Sequence, residues 1–174
     1  KLYSMLYDRS IQVSDRKFIS AYDEISDAFA GFYFRGTCLN IEEFNNMHGF
    51  CFEKEPTDFN IDLLVSFCEY IYNILVGYRN TMSGGFMPQA INVEFYWTQI
   101  LMVIEEIGYM QAFQDNFTIF VEKSPAAISV SESKLIPDNL SYKLISYNHH
   151  SMRGQLDAKK ATLLQLANLL ESKR

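Results

Sequence analysis

Cysteine is scarce: Cys38, Cys51 and Cys68 are the only three in 174 residues, and no two form a C-x-x-C pair. An odd number at no metal-like spacing argues against a disulfide framework and for buried, reduced thiols. Histidine is as rare, with His48, His149 and His150 in no H-x-x-x-H or H-E-x-x-H arrangement, so no metal site is expected. No G-x-S-x-G elbow occurs, which speaks against a hydrolase of that kind. Positive charge is short as well, 15 Lys and Arg against 21 Asp and Glu, a net charge of −6. That balance disfavours a general nucleic-acid binder, which would show a basic face, and leaves room only for a local basic site. No uninterrupted apolar stretch of membrane-spanning length stands out, so no membrane contact is expected. The first residues show no charged segment followed by an apolar run, so no secretory signal is expected. A start at Lys1 fits a piece of a longer protein. A cytoplasmic location without cofactor follows from these absences.

What the chain has is apolar and aromatic mass. Hydrophobic residues make up 48%, aromatics 15%, with 14 Phe, 11 Tyr and one Trp. Disorder is excluded by that content, and the length suffices for a real core. Tyrosine hydroxyls need partners or water, which favours the edge of the core. Residues 1–20 scatter Leu2, Met5, Leu6, Ile11, Val13, Phe18 and Ile19 among charges and read as a peripheral arm or short helix. Residues 21–174 read as a single helical domain.

Along the chain, Ile25, Phe29, Phe32 and Tyr33 lie on a helical stripe within 24–34, closed by Gly36. Asn40 is a suitable N-cap for 41–48, with Glu43 placed to complete something close to a capping box and Gly49 to end the helix. A brief extended piece at 50–53 and a turn at 56–60 follow. The central helix spans 60–78, with Ile61, Leu64, Val65, Cys68, Ile71, Tyr72 and Leu75 at steps of three and four. Residues 79–92 lose periodicity and contain Gly84-Gly85 and Pro88, the marks of a loop. That loop lacks the Lys-Ser/Thr ending of a phosphate-binding P-loop. Another helix covers 93–107, stopped by Gly108; its Glu105 and Glu106 fall on different faces and read as a solvated helix end. Two extended runs, 109–114 and 117–122, flank Asp115-Asn116, a pair suited to a two-residue hairpin turn. Ser124 and Pro125 then open a short helix over 126–133, and Pro137 breaks the chain.

The C-terminal stretch concentrates the polar chemistry. Leu144, Ile145 and Tyr147 belong to a short helix closed by Asn148-His149-His150, where the helix dipole favours cations. Gly154 is the natural stop, and Asp157 can cap the next helix. Ala161, Leu164, Ala167 and Leu170 recur there at helical spacing, widened by Leu163 and Leu166. The candidate site is the polar cluster Asn148, His149, His150, Arg153, Lys159 and Lys160. Grouped around a turn, these cations would suit a phosphate or carboxylate. The plainer expectation is that one histidine caps a helix end, the other packs, and the lysines are solvated. Adjacent helical residues point about 100° apart, so both rings are not expected to face one ligand.

Past the hairpin come Val121-Glu-Lys-Ser-Pro-Ala-Ala127, Tyr147-Asn-His-His150, Arg153-Gly154, Lys159-Lys160 and Leu166-Ala-Asn-Leu-Leu-Glu171. This order of pieces resembles the helical domains of bacterial abortive-infection (AbiJ-like) proteins, relatives of the HEPN superfamily, over the last third to half of the chain. The resemblance implies a helical bundle linked to bacterial or phage defence. HEPN ribonucleases carry an arginine followed four to six residues later by histidine. None of Arg9, Arg16, Arg35, Arg79 and Arg153 has a histidine at that distance, and Gly84 stands where Arg79-Asn80 would call for one. The resemblance therefore brings no catalytic residue with it.

The expected fold is mainly α, a helical bundle with one antiparallel β-hairpin at about 109–122. The expected function is a non-catalytic binding or regulatory module with an anion or nucleic-acid contact at 148–160. It would meet a protein partner or a second copy of itself, and nucleic acid only locally. The alternative is an unusual RNA-cleaving enzyme using His149, His150 and Arg153.

Overall fold

The computed structural model describes residues 2–50, 60–83, 90–114, 117–133 and 136–172. The protein is mainly α with antiparallel β-hairpins, and its described residues fall into two compact units, 1–102 and 103–174. The extended piece expected at 51–53, most of the turn at 56–60 and the Gly84-Gly85 pair lie outside the described residues.

In the first unit, the opening residues begin with a short helix, one of the two forms expected of them. They form helix α1 (Leu2–Tyr7) and a hairpin of strands β1 (Ser10–Ser14) and β2 (Lys17–Ser20), with Ile11 opposite Ile19. Met5 and Leu6 are buried, and the Tyr96 hydroxyl donates to the Met5 carbonyl at 2.8 Å. Helix α2 (Ala21–Ala28) begins earlier than its apolar stripe suggests, because Ser20 and Asp23 form a capping box. The Ser20 hydroxyl accepts from the Asp23 N–H at 3.0 Å, and the Asp23 carboxylate accepts from the Ser20 N–H at 3.3 Å. It also ends earlier: a 3-10 turn at Phe29–Gly31 leads to an extended Phe32.

Helix α3 (Ile41–His48) starts at Asn40, whose side chain accepts from the Glu43 N–H at 2.8 Å, and ends at Gly49 in the left-handed region. Glu43 reaches back one residue further than a standard box, to the Leu39 N–H. Helix α4 (Ile61–Ser83) is capped by the Asn60 side chain and buries Val65, Cys68, Ile71 and Leu75. It runs five residues past the expected end at 78. The run Arg79–Ser83 is helical, and Thr81 and Ser83 satisfy their hydroxyls on carbonyls one turn back within it. Gly77 lets α4 pass close to Phe32; a Cβ there would stand 2.7 Å from the Phe32 ring. At 23 residues, with a mean hydropathy of 1.3 over its most apolar 18, α4 is long and apolar enough to cross a membrane by length and composition. Half of its most apolar window is buried inside the protein, as in a core helix.

Helix α5 (Val93–Glu106) is capped by Asn92 and contributes to both units. In the first unit Trp97 stacks on Tyr72 at 5.3 Å and donates to its carbonyl, while Arg79 covers the indole at 5.1 Å and pairs with Glu94 at 2.9 Å.

In the second unit, strands β3 (Tyr109–Gln114) and β4 (Phe117–Glu122) pair in the expected register, Gln114 opposite Phe117. Ala112 and Val121 share one face and pack with Ile145 from helix α7 (Asp138–Ser146). Helix α6 (Pro125–Glu132) connects them, and helix α8 (Leu156–Ser172) closes the unit.

Burial sets the alkaline limit of the first unit. It pushes the Cys68 thiol up to about 12, with the Glu69 charge adding to the effect. It pushes the Tyr78 phenol up to about 12 as well, helped by Glu24, whose carboxylate accepts from the Tyr78 hydroxyl at 3.1 Å. Both groups lose their protons in the unfolded chain before the folded one. Their contribution is therefore complete below pH about 9 and fades between about 9 and 12. Urea midpoints followed by circular dichroism should fall steadily over that window, and Tyr78→Phe should reduce the slope above pH 10.

Candidate functional site

The polar segment predicted to be the site is fastened to the hairpin at the end of β4. The Glu122 N–H donates to the Asn148 carbonyl at 3.2 Å. The Asn148 side-chain amide donates to the Ser124 hydroxyl at 3.1 Å. Arg153 places a guanidinium nitrogen 2.6 Å from the Glu122 carboxylate and 3.5 Å from the Tyr109 hydroxyl. Tyr109 and Glu122 are themselves register partners across the hairpin. Asn148 and Arg153 thus bind one strand end from both sides of a short turn.

Between them the chain does not stay helical. His149 is extended and caps a 3-10 turn at His150–Met152, its Nδ1 lying 2.7 Å from the Ser151 hydroxyl and accepting from the Ser151 N–H at 3.3 Å. This corrects the expectation that the two rings diverge by a helical step. With His149 extended, the His149 and His150 rings lie side by side, centroids 4.2 Å apart. One histidine does cap, but it caps this added turn rather than the end of α7. Gly154 also differs from its expected place. It does not close α7; it takes φ +81° after the 3-10 turn and redirects the chain into α8. Helix α8 begins at Leu156, so Asp157 sits in its first turn rather than at the cap, still favourably placed against the helix dipole.

The lysines stand apart from this knot. The Tyr147 hydroxyl donates to the Ala158 carbonyl at 3.0 Å, joining the end of α7 to the first turns of α8. Lys159 lies over the Tyr147 ring at 5.9 Å, a weak cation–π contact. Lys160 is exposed and 3.9 Å from the equally exposed Asp157. The candidate residues therefore divide into a hairpin clamp (Asn148, Arg153), an adjacent histidine pair with rings tilted at 43°, and two lysines on α8. They do not converge on one anion. A cleft of about 370 Å³ between β3 and α7 is lined by Met110, Phe113, Ser141 and Tyr142, and by none of the candidate residues.

Sequence reasoning overlooked Glu122, Ser124 and Tyr109 as the receptors of this clamp. A strand ending in Glu-Lys gives no local sign that its carboxylate meets an arginine 31 residues on. It also misjudged α8. The inward positions are Thr162, which is buried, and the half-buried Lys159 and Leu166; Leu156, Leu163 and Leu164 are 64%, 56% and 64% exposed. The apolar residues that read as a core stripe lie largely on the outside.

Compared with family models, curated proteins and solved structures, the chain matches none.

The clamp is half exposed on both sides, so screening keeps the ion pair at the small end of its range. Arg153→Ala should cost about 0.5–1 kcal/mol in urea unfolding. His149→Ala should cost a similar amount, about 0.5–1 kcal/mol, through the lost cap.

Proposed function

We propose that this chain is a non-catalytic helical binding module whose contact face is the outer side of α8. One observation carries the reading. Asn148, His149 and Arg153 each make a side-chain hydrogen bond within their own unit, whereas large apolar side chains on α8 face solvent. Leu156, Leu163 and Leu164 lie within a few turns of one helix, and neighbouring exposed apolar groups mark contact surfaces more often than scattered ones do. Lys160, exposed beside these leucines, suits a partner with acidic groups at its rim. A setting in bacterial or phage defence rests on the sequence resemblance to abortive-infection helical domains, and a cytoplasmic location on the sequence reading alone.

The purified protein tests this in two assays. At about 1 µM, where weak self-contacts dissociate, it should bind the apolar dye ANS, and Leu163→Glu with Leu164→Glu should remove at least half of the signal without lowering Tm. Labelled single-stranded RNA should survive incubation equally with the wild type and with His149→Ala/His150→Ala. RNA cleavage abolished by the histidine substitutions at unchanged Tm would overturn the reading in favour of an enzyme.

A further inference from the structure

We propose that the first unit holds a ligand site of its own: the cleft between β1 and the start of α5 binds a small organic carboxylate, its anionic head on Arg9 and its apolar body against Phe95 and Tyr96. The site lies wholly in the first unit and does not rest on the α8 face. The cleft holds about 440 Å³, within the range of small-molecule sites. Residues 9–12 form one wall and 90–96 the other. Its apolar side is Ile11, the buried Ile91 and two aromatic rings. Phe95 meets Tyr96 edge to face, centroids 6.0 Å apart, and is 40% exposed. The Tyr96 hydroxyl is spent on the Met5 carbonyl, so what Tyr96 offers the cleft is its ring.

The charge in the cleft is of one sign. Arg35 donates to the Cys38 carbonyl, Arg79 pairs with Glu94 and Arg153 with Glu122. The Arg9 guanidinium has no hydrogen-bonded or ion-paired partner among the described residues. Arg16, also unpaired, lies in the β1–β2 turn and lines no part of the cleft. Asp8 and Glu94, the acidic neighbours in sequence, do not line it either. Arg9 stands close enough to the Tyr96 phenol to oppose the rise that burial gives its pKa. Neutral donors complete the rim. Asn92 uses its side-chain oxygen to cap Phe95 at 3.1 Å, which leaves its NH2 group as a donor, and the Gln12 amide lines the same cleft. The planar fork of a guanidinium matches the two oxygens of a carboxylate. One cation in a chain of net charge −6 suits a single negative charge better than a phosphate dianion. The aromatic corner beside it asks for a flat apolar body.

Amide NMR of the full chain titrated with 2-naphthoate tests this. Saturable shifts should appear at residues 9–12 and 92–96, with Kd on the order of 0.1–1 mM for a ligand of about 13 heavy atoms. 2-Naphthamide keeps the rings without the charge and should bind about tenfold more weakly. Acetate and inorganic phosphate lack the rings and should not saturate below about 10 mM. Arg9→Gln should weaken 2-naphthoate about tenfold and leave 2-naphthamide unchanged, whereas Phe95→Ala should weaken both about three- to tenfold. Both side chains are exposed, so circular dichroism should report an unchanged fold. Absence of saturable shifts overturns the proposal, as do shifts confined to residues 156–164 of α8. Indifference to Arg9→Gln overturns it too. So does acetate or phosphate binding as tightly as 2-naphthoate, which would mark Arg9 as a surface cation holding an adventitious ion only.

Discussion

The hold of β4 on Asn148 is the constraint from which the second unit follows. A two-stranded hairpin is marginal alone in water and needs something to lean on. Here Ile145 covers its Ala112–Val121 face, and directly after α7 the Asn148 carbonyl and amide fasten the chain to Glu122 and Ser124. Arg153 repeats the attachment from the far side of the turn. Once both ends of 148–153 are held, Gly154 can turn the chain and α8 departs with its orientation fixed by the Tyr147 hydroxyl. The same contacts that stabilise the hairpin thus decide which side of α8 is turned outward.

This arrangement gives the polar residues a structural meaning. An arginine beside two histidines and two lysines reads, in one dimension, as a cation cluster awaiting an anion. In space Arg153 is neutralised by Glu122, and His149 satisfies the backbone of its own turn. A charge already matched within the fold has less to offer a ligand, since binding would first have to break the existing bond. What the unit leaves for a partner is apolar area, and Lys160 beside it brings orientation more than affinity.

Much of the fold was legible because its signals are local. Asn40 and Gly49 bracket α3 through bonds spanning three or four residues, and two extended runs separated by two residues pair as their spacing suggests, Gln114 opposite Phe117. The first hairpin was missed because β2 is four residues long and only partly buried, too short for alternation to show. The end of α4 was missed because Thr81 and Ser83 look like loop residues, yet bond back to their own helix. The site was harder to read for a different reason. Periodicity locates a helix's apolar stripe without saying whether anything covers it, so Leu163 and Leu164 read as core while Thr162 took the inner position. The approach of His149 to His150 depended on one extended residue, which no spacing rule foresees.

Amide hydrogen exchange across residues 117–153 probes the structural role of the polar turn most directly. The Glu122, Met152 and Arg153 amides, which donate to Asn148, His149 and His150, should exchange with protection comparable to the interior of β4. Exchange of Met152 and Arg153 at free-chain rates beneath a protected β4 would contradict it, and would return 148–153 to the status of an open, ligand-ready loop.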